Sequence, residues 1–175
     1  YQRTYIRIQP HITLLETETY MKPIVIFDLD GTLMDVEHRL HFIRGEIKDY
    51  DALHKACVND TPIKEVVNIF KLLRLDNDVR IWSCRSNIAL AETISSLRYH
   101  GIFDLYYNPQ SNRNCLRLKP DEDHRKDHEV KLEWLNQLPD EERKRVTCAF
   151  DDRSSVAQMW RDAGLRCFQV AKGDF

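Results

Sequence analysis

Hydrophobic positions fall along the chain in short continuous runs separated by stretches of helical spacing. Ile24-Val25-Ile26-Phe27 is an unbroken, mostly β-branched run that halts at Asp28. Such a run predicts a central parallel strand covered on both faces. From Pro62 the period changes, and Ile63, Val66, Val67, Phe70 and Leu73 share one helical face, with Pro62 suited to the opening turn. Residues 79–83 predict a second strand, and Leu90, Ile94 and Leu97 a helix that Gly101 terminates. Residues 103–107 predict a short third strand, 108–126 a polar loop, and 127–138 a helix with Val130, Trp134 and Leu138 turned inward. Residues 146–150 predict the fourth strand. Val156, Met159, Trp160 and Ala163 then mark a helix stopped by Gly164, and residues 165–170 a closing strand. Residues 36–60 are polar, with two short helical candidates at 38–44 and 50–58.

Strands alternating with helices predict an α/β fold: a Rossmann-like, mostly parallel sheet flanked by helices on both faces. At 175 residues the chain suits one domain, and 42% hydrophobic content is enough for a sizeable core. The formal net charge of −2 gives no global attraction to nucleic acid or to an anionic membrane, so a polyanion would have to be held by a local patch. No apolar run reaches the length of a membrane span, and no obligate protein partner is evident. Five cysteines without a C-x-x-C pair predict reduced thiols and a cytoplasmic setting. Residues 1–20 lack clear periodicity, whereas Met21-Lys22-Pro23 is a natural start before the first strand. We expect 1–20 to be a cloning remnant or disordered leader, with the domain spanning 21–175.

In an open parallel sheet, ligands bind beyond the carboxyl ends of the strands. Three polar clusters fall at such ends: Asp28-Leu29-Asp30-Gly31-Thr32, Ser83-Cys84-Arg85 and Asp151-Asp152. Carboxylates gathered this way repel one another, and a phosphate would add further negative charge. A cation among them resolves the conflict, and all-oxygen ligands favour a hard ion, Mg2+ first. At its strand tip Asp28 is placed to attack phosphorus, and Asp30, two residues on, to give a proton to the leaving oxygen and later activate water. The surrounding acids are expected to raise the pKa of Asp30, as an acid role requires. Asp127 and Lys131 lie four apart on one predicted helical face, where Asp127 would orient the Lys131 ammonium toward the phosphate.

The run Asp28-Leu29-Asp30-Gly31-Thr32, then Ser83, a downstream lysine and Asp151-Asp152, resembles in order the four motifs of the haloacid-dehalogenase (HAD) superfamily. The likeness extends from Ile24 to the C-terminus. It implies that Asp28 is nucleophile and Mg2+ ligand, and that Asp30 is acid/base and reaches Mg2+ through its backbone carbonyl. Ser83 would hydrogen-bond the phosphoryl group, and Asp151 or Asp152 would complete the metal site. Lys119, Lys126 and Lys131 compete for the lysine position, and the pairing with Asp127 selects Lys131. His38-Arg39, Ser83-Cys84-Arg85, Asp127 with Lys131, and Asp151-Asp152-Arg153 further resemble the phosphatase domain of phage polynucleotide kinase/phosphatase and stand-alone phage deoxynucleoside monophosphatases. That family reads Ser/Thr-Gly-Arg in its middle motif, and Cys84 stands in place of the Gly. By this resemblance Arg39 and Arg85 hold the phosphate or its neighbour, as guanidinium forks suit, and the region of about 33–76 is a small helical cap.

The implied activity is Mg2+-dependent hydrolysis of a phosphomonoester on a nucleotide or a polynucleotide 3' end, through an aspartyl-phosphate. Alternatives are a 5'-deoxynucleotidase, a general small-molecule phosphatase, a phosphomutase (disfavoured by a short cap) and a binding-only relative (disfavoured by retention of Asp30). No G-x-x-x-x-G-K-[ST] occurs, so phosphoryl transfer from ATP is not expected. His38, His41 and His54 are read as hydrogen-bonding or surface residues. Trp82 and Tyr106-Tyr107 are read chiefly as core, with base stacking as the alternative. Arg113, Arg117, Lys119, Arg125 and Lys126 are read as a solvated loop.

Overall fold

The computed structural model describes residues 21–103 and 115–173. Five strands, β1 (Ile24–Phe27), β4 (Asp78–Ser86), β5 (Leu116–Lys119), β6 (Val146–Asp151) and β7 (Arg166–Gln169), form one sheet in the order β5-β4-β1-β6-β7. Every pairing within it is parallel. A strand pair, β2 (Met34–Asp35) and β3 (Thr61–Pro62), is antiparallel and stands apart.

Alternation along β1 divides the core between the two faces. Val25 and Phe27 pack with Val66, Val67 and Phe70 of α3 (Lys64–Leu73) and Leu97 of α4 (Leu90–Tyr99). Ile24 and Ile26 pack on the other face with Val130 and Trp134 of α5 (Asp127–Asn136) and Val156, Met159 and Trp160 of α7 (Ser154–Asp162). Edge-on rings fix both halves: Phe27 against Phe70 at 5.3 Å, and Trp82 against Trp134 at 5.9 Å.

The excursion between β2 and β3 carries two short helices, α1 (His41–Arg44) and α2 (Tyr50–Lys55), and overhangs the carboxyl ends of the strands. The α3 helix belongs to the body, because its apolar face is in the sheet core.

Two sequence readings need correction. A strand, β5, lies inside the stretch read as a polar loop, where Leu116 and Leu118 alternate with Arg117 and Lys119. Its charged positions suit a sheet edge, and the Arg117 guanidinium lies 4.7 Å over the Trp134 ring. The third strand expected at 103–107 falls, beyond Phe103, outside the described residues, as does the leader 1–20. Pro62 does not open α3. It pairs with Met34 in β3, and the helix starts at Lys64. A further helix, α6 (Asp140–Arg145), went unread: its three leading acids and three trailing bases match the helix dipole. The five cysteines are free thiols, with Cys57 buried and the others partly so. Among the described residues no helix is long and apolar enough to cross a membrane.

Candidate active site

The parallel register carries the ends of β1, β4 and β6 to one side of the sheet, and the acidic and basic clusters meet there. The chain leaves β1 through a tight turn. The amides of Leu33 and Met34 both donate to the Leu29 carbonyl, and Gly31 takes φ +79°, a conformation a side chain would strain. This turn holds Asp28 and Asp30 at the strand tip. A cleft of about 840 Å³ opens above, lined by both residues and by Ser83, Arg85, Lys131, Asp151 and Asp152.

Lys131, on α5, is the central cation. Its Nζ donates to Asp28 Oδ1 at 2.6 Å and to Asp151 Oδ2 at 2.8 Å, and all three residues are buried. Burial works against the ammonium charge, but Asp151 and Asp28 outweigh it and hold the Lys131 pKa up. Burial, reinforced by Asp151 and Asp152, pushes Asp28 well above the usual carboxylate range despite the pull of Lys131. Burial and the neighbouring Asp151 push Asp152 up to about 6.

One oxygen from each of Asp28, Asp151 and Asp152 lies within 4.8 Å of the others. Asp152 Oδ2 is buried and has no hydrogen-bond partner, while Oδ1 accepts a long bond from Thr32 Oγ1, 3.4 Å. A hard divalent cation fits this set, since an unpaired buried carboxylate oxygen is costly and three oxygen donors suit such an ion. Both Asp151 and Asp152 thus belong to the acidic group. Asp30 contributes no side-chain oxygen to it, which leaves only its carbonyl for the role the resemblance implies. Two glycines enclose Asp152: a Cβ at Gly31 or at Gly173 would collide with Oδ2.

Asp30 instead faces the opposite side of the cleft. Its Oδ1 accepts from Arg85 and from Arg39 (2.8 Å), and its Oδ2 from Arg85 Nε at 3.3 Å. The expected rise in its pKa is therefore reversed. Burial raises it, but Arg85 and Arg39 overcome burial and bring it down to about 2. The sequence placed Asp30 near acids in the chain, and the fold turns its carboxylate toward guanidiniums.

Asp60, not singled out in the sequence, organises those guanidiniums. Its Oδ1 accepts from Arg39 Nε at 2.7 Å and lies 2.9 Å from His38 Nε2, and its Oδ2 accepts from Arg85 at 2.5 Å and Arg39 at 3.0 Å. Arg85 also donates to Thr93 Oγ1 at 3.0 Å, and its amide donates to Ser83 Oγ at 3.1 Å. Asp60, Arg39, Arg85 and Ser83 are all buried. The only advance signal was an acid directly ahead of Thr61-Pro62, which alone reads as a turn residue.

Asp127 does not orient Lys131. It accepts from Arg153 and lies 3.8 Å from Lys119 Nζ, on the rim of the cleft. Its place at the first turn of α5 separates it from the inward-facing Lys131. Cys84 remains in strand conformation, and its thiol, raised in pKa by burial, donates to the Asp127 carbonyl at 3.8 Å. That contact ties β4 to α5, and Arg85 still enters the site. Trp82 is core, 2% exposed, while Tyr106, Tyr107 and Arg113 lie outside the described residues. Of the other basic loop residues, Arg125 pairs with Asp123 and Glu133, and Lys119 donates to the Arg125 carbonyl at 3.1 Å.

A parallel sheet between helical layers, with this buried acidic set at its strand ends, defines a haloacid-dehalogenase-like phosphatase fold. The model of the polynucleotide kinase PNKP phosphatase domain matches residues 22–175, and the chain belongs to that family. A chain of the Pnkp1/Rnl/Hen1 RNA repair complex is 27% identical with a TM-score of 0.70, the match covering 96% of this chain and 48% of that one. A second structure of that complex gives 27% identity and a TM-score of 0.68 over 96% and 52%. This chain therefore spans about half the length of those chains. The class C acid phosphatase from Bacillus anthracis shares the fold at 19% identity and a TM-score of 0.59, over 90% of this chain and 70% of that chain.

Two outcomes follow. Gly173→Ala should displace Asp152 and abolish the rise in melting temperature that added Mg2+ produces, with far-UV circular dichroism unchanged; an undiminished rise would refute the cradle. In metal-free protein, the stability that Asp30 draws from the arginines is complete above its ordinary pKa near 3.8 and is lost as pH falls through about 2. The deficit of Asp30→Asn in urea titrations should thus be constant at pH 5–7 and narrow between about pH 4 and 2.

Proposed function

We propose that this domain hydrolyses phosphomonoesters on nucleotides or polynucleotide 3' ends, with Mg2+, through an aspartyl-phosphate on Asp28. The single observation that carries the reading is the division of one cleft into two buried charge groups. Asp28, Lys131, Asp151 and Asp152 lie on one side, and Arg39 and Arg85 lie on the other.

When bound, the divalent ion would be held by Asp28, Asp151 and Asp152, neutralising the acidic set and the phosphoryl oxygens. The protein's own groups then divide the chemistry. An Asp28 oxygen attacks phosphorus, and the bond from phosphorus to the ester oxygen breaks. Lys131 offsets negative charge beside the attacking carboxylate, and the Ser83 hydroxyl, whose oxygen already accepts from Arg85, is free to donate to the phosphoryl group. Arg39 and Arg85 turn from Asp30 to the phosphate, which offers charge-assisted bidentate contacts. Released from the guanidiniums, the partly buried Asp30 rises in pKa, takes up a proton from solvent and gives it to the departing oxygen. Asp30 then takes a proton from the water that attacks phosphorus and breaks the acyl-phosphate bond. Free phosphate leaves and Asp28 is regenerated.

A second reading, 5'-deoxynucleotidase action on free monophosphates, is favoured by acids on the cleft rim. Asp51, Asp121 and Asp123 line it, interleaved with Lys48, Lys119 and Arg153, a mixed rim that offers no continuous basic track for the phosphodiesters of a longer chain. The free thiols are compatible with a reducing, cytoplasmic setting.

The test is a Mg2+-supplemented panel containing a 3'-phosphorylated oligonucleotide, deoxynucleoside 5'-monophosphates and sugar phosphates. Turnover of the first supports the proposal, preference for the second the alternative, and turnover of sugar phosphates alone refutes both. Asp28→Asn should leave no measurable turnover, and Asp30→Asn should lower kcat by about a hundredfold or more. Beryllium fluoride should bind only forms that retain Asp28.

A further inference from the structure

The cleft is much larger than a phosphate requires. Its volume of about 840 Å³ suits an entire organic ligand, and Asp28, Lys131, Asp151 and Asp152 occupy only its strand-end side. The facing wall comes from the cap: Leu40 and Ile43 at α1, and Tyr50 and His54 of α2. Tyr50 and His54 are four residues apart and share one helical face. Tyr50 is 52% exposed, so core packing does not account for it.

The His54 ring is only partly buried, yet its Nδ1 is sealed from water and has no hydrogen-bond partner. An unpaired buried nitrogen is unfavourable unless a ligand or a rearranged neighbour supplies the partner. Burial above all lowers its pKa, which keeps the ring neutral at pH 7. Lys48, two residues before Tyr50, lines the same rim. An exposed aromatic ring beside a cation, on the wall of a charged cleft with room beyond the phosphate, is the composition that holds single-stranded nucleotides.

We infer that the Tyr50–His54 wall is a base-stacking subsite for the nucleotide whose phosphate lies over Asp28. The Tyr50 ring is the platform, and His54 meets the polar edge of the base. This rests on the nucleotide reading above and adds to it the part of the substrate that the cap recognises. Stacking tolerates any base, because every base presents a π-face. The subsite therefore selects a nucleotide over a bare sugar phosphate without selecting sequence.

The experiment compares two 3'-phosphorylated oligonucleotides, one with an intact terminal nucleoside and one with a tetrahydrofuran abasic unit there. The wild type should favour the intact end by about tenfold in kcat/KM, mostly through KM. Tyr50→Ala should bring that ratio close to one, Tyr50→Phe should keep it, and His54→Ala should lower it in part. Wild-type indifference to the base, or an equal loss by Tyr50→Ala on both substrates, would overturn the subsite while leaving the nucleotide reading standing. Turnover of sugar phosphates with none of either oligonucleotide or of any mononucleotide would remove both.

Discussion

Charge withdrawn from water governs this molecule. Asp28, Lys131, Asp151 and Asp152 are all nearly inaccessible at the strand ends. An isolated buried carboxylate or ammonium is strongly disfavoured, so each must find a counter-charge. Lys131 resolves the problem for two carboxylates at once and joins three elements, the tips of β1 and β6 and the inner face of α5. Asp152 Oδ2 is left without a hydrogen-bond partner, and a cation would supply one there. The positions of Gly31 and Gly173 follow from the same requirement, since no side chain fits beside that carboxylate.

A second buried group repeats the logic with the signs exchanged. Arg39 comes from the cap and Arg85 from β4, and two guanidiniums this close need negative charge between them. Asp60 supplies it from the end of the cap excursion, with His100 Nε2 beside its backbone carbonyl at 3.1 Å. The cap is thus held over the strand ends by buried ion pairs, as well as by the β2–β3 pairing. The placement of α1 and α2, and with them the wall opposite Asp28, depends on Asp60.

Much of this was legible in the sequence. Ile24–Phe27 read as a central strand because only a two-sided core accepts four such residues in succession. Asp28, Ser83 and Asp151 read as a site because strand ends on one side of a parallel sheet converge. Lys131 does reach the strand-end cleft, but not through the spacing that singled it out: its partners are 20 and 103 residues away in sequence, and local spacing cannot report them. Asp60, Gly173 and the true partner of Asp127 were hidden for the same cause, since each acts through contacts made only in three dimensions. The β5 strand escaped because Leu-Arg-Leu-Lys is as short and charged as a loop, and Pro62 misled because a proline before an amphipathic run serves a strand edge as well as a helix start.

The reversed pKa of Asp30 bears directly on the proposed chemistry. A carboxyl group near 2 is ionised at neutral pH and cannot donate a proton. Its low value, however, is set by the two residues a phosphate dianion would recruit, while its largest single influence, burial, acts in the opposite direction. Two guanidiniums shared between Asp60 and Asp30 can move toward a third anion without leaving Asp60 unpaired, because Asp60 accepts through both oxygens. Asp30 has less to hold them and more exposure to give up, with 22% of its side chain accessible against none for Asp60. Substrate arrival and creation of the proton donor are then one event. On the proposed chemistry, Asp30 would stay ionised until a phosphate draws the guanidiniums away, and would be protonated only when an ester oxygen is there to receive the proton.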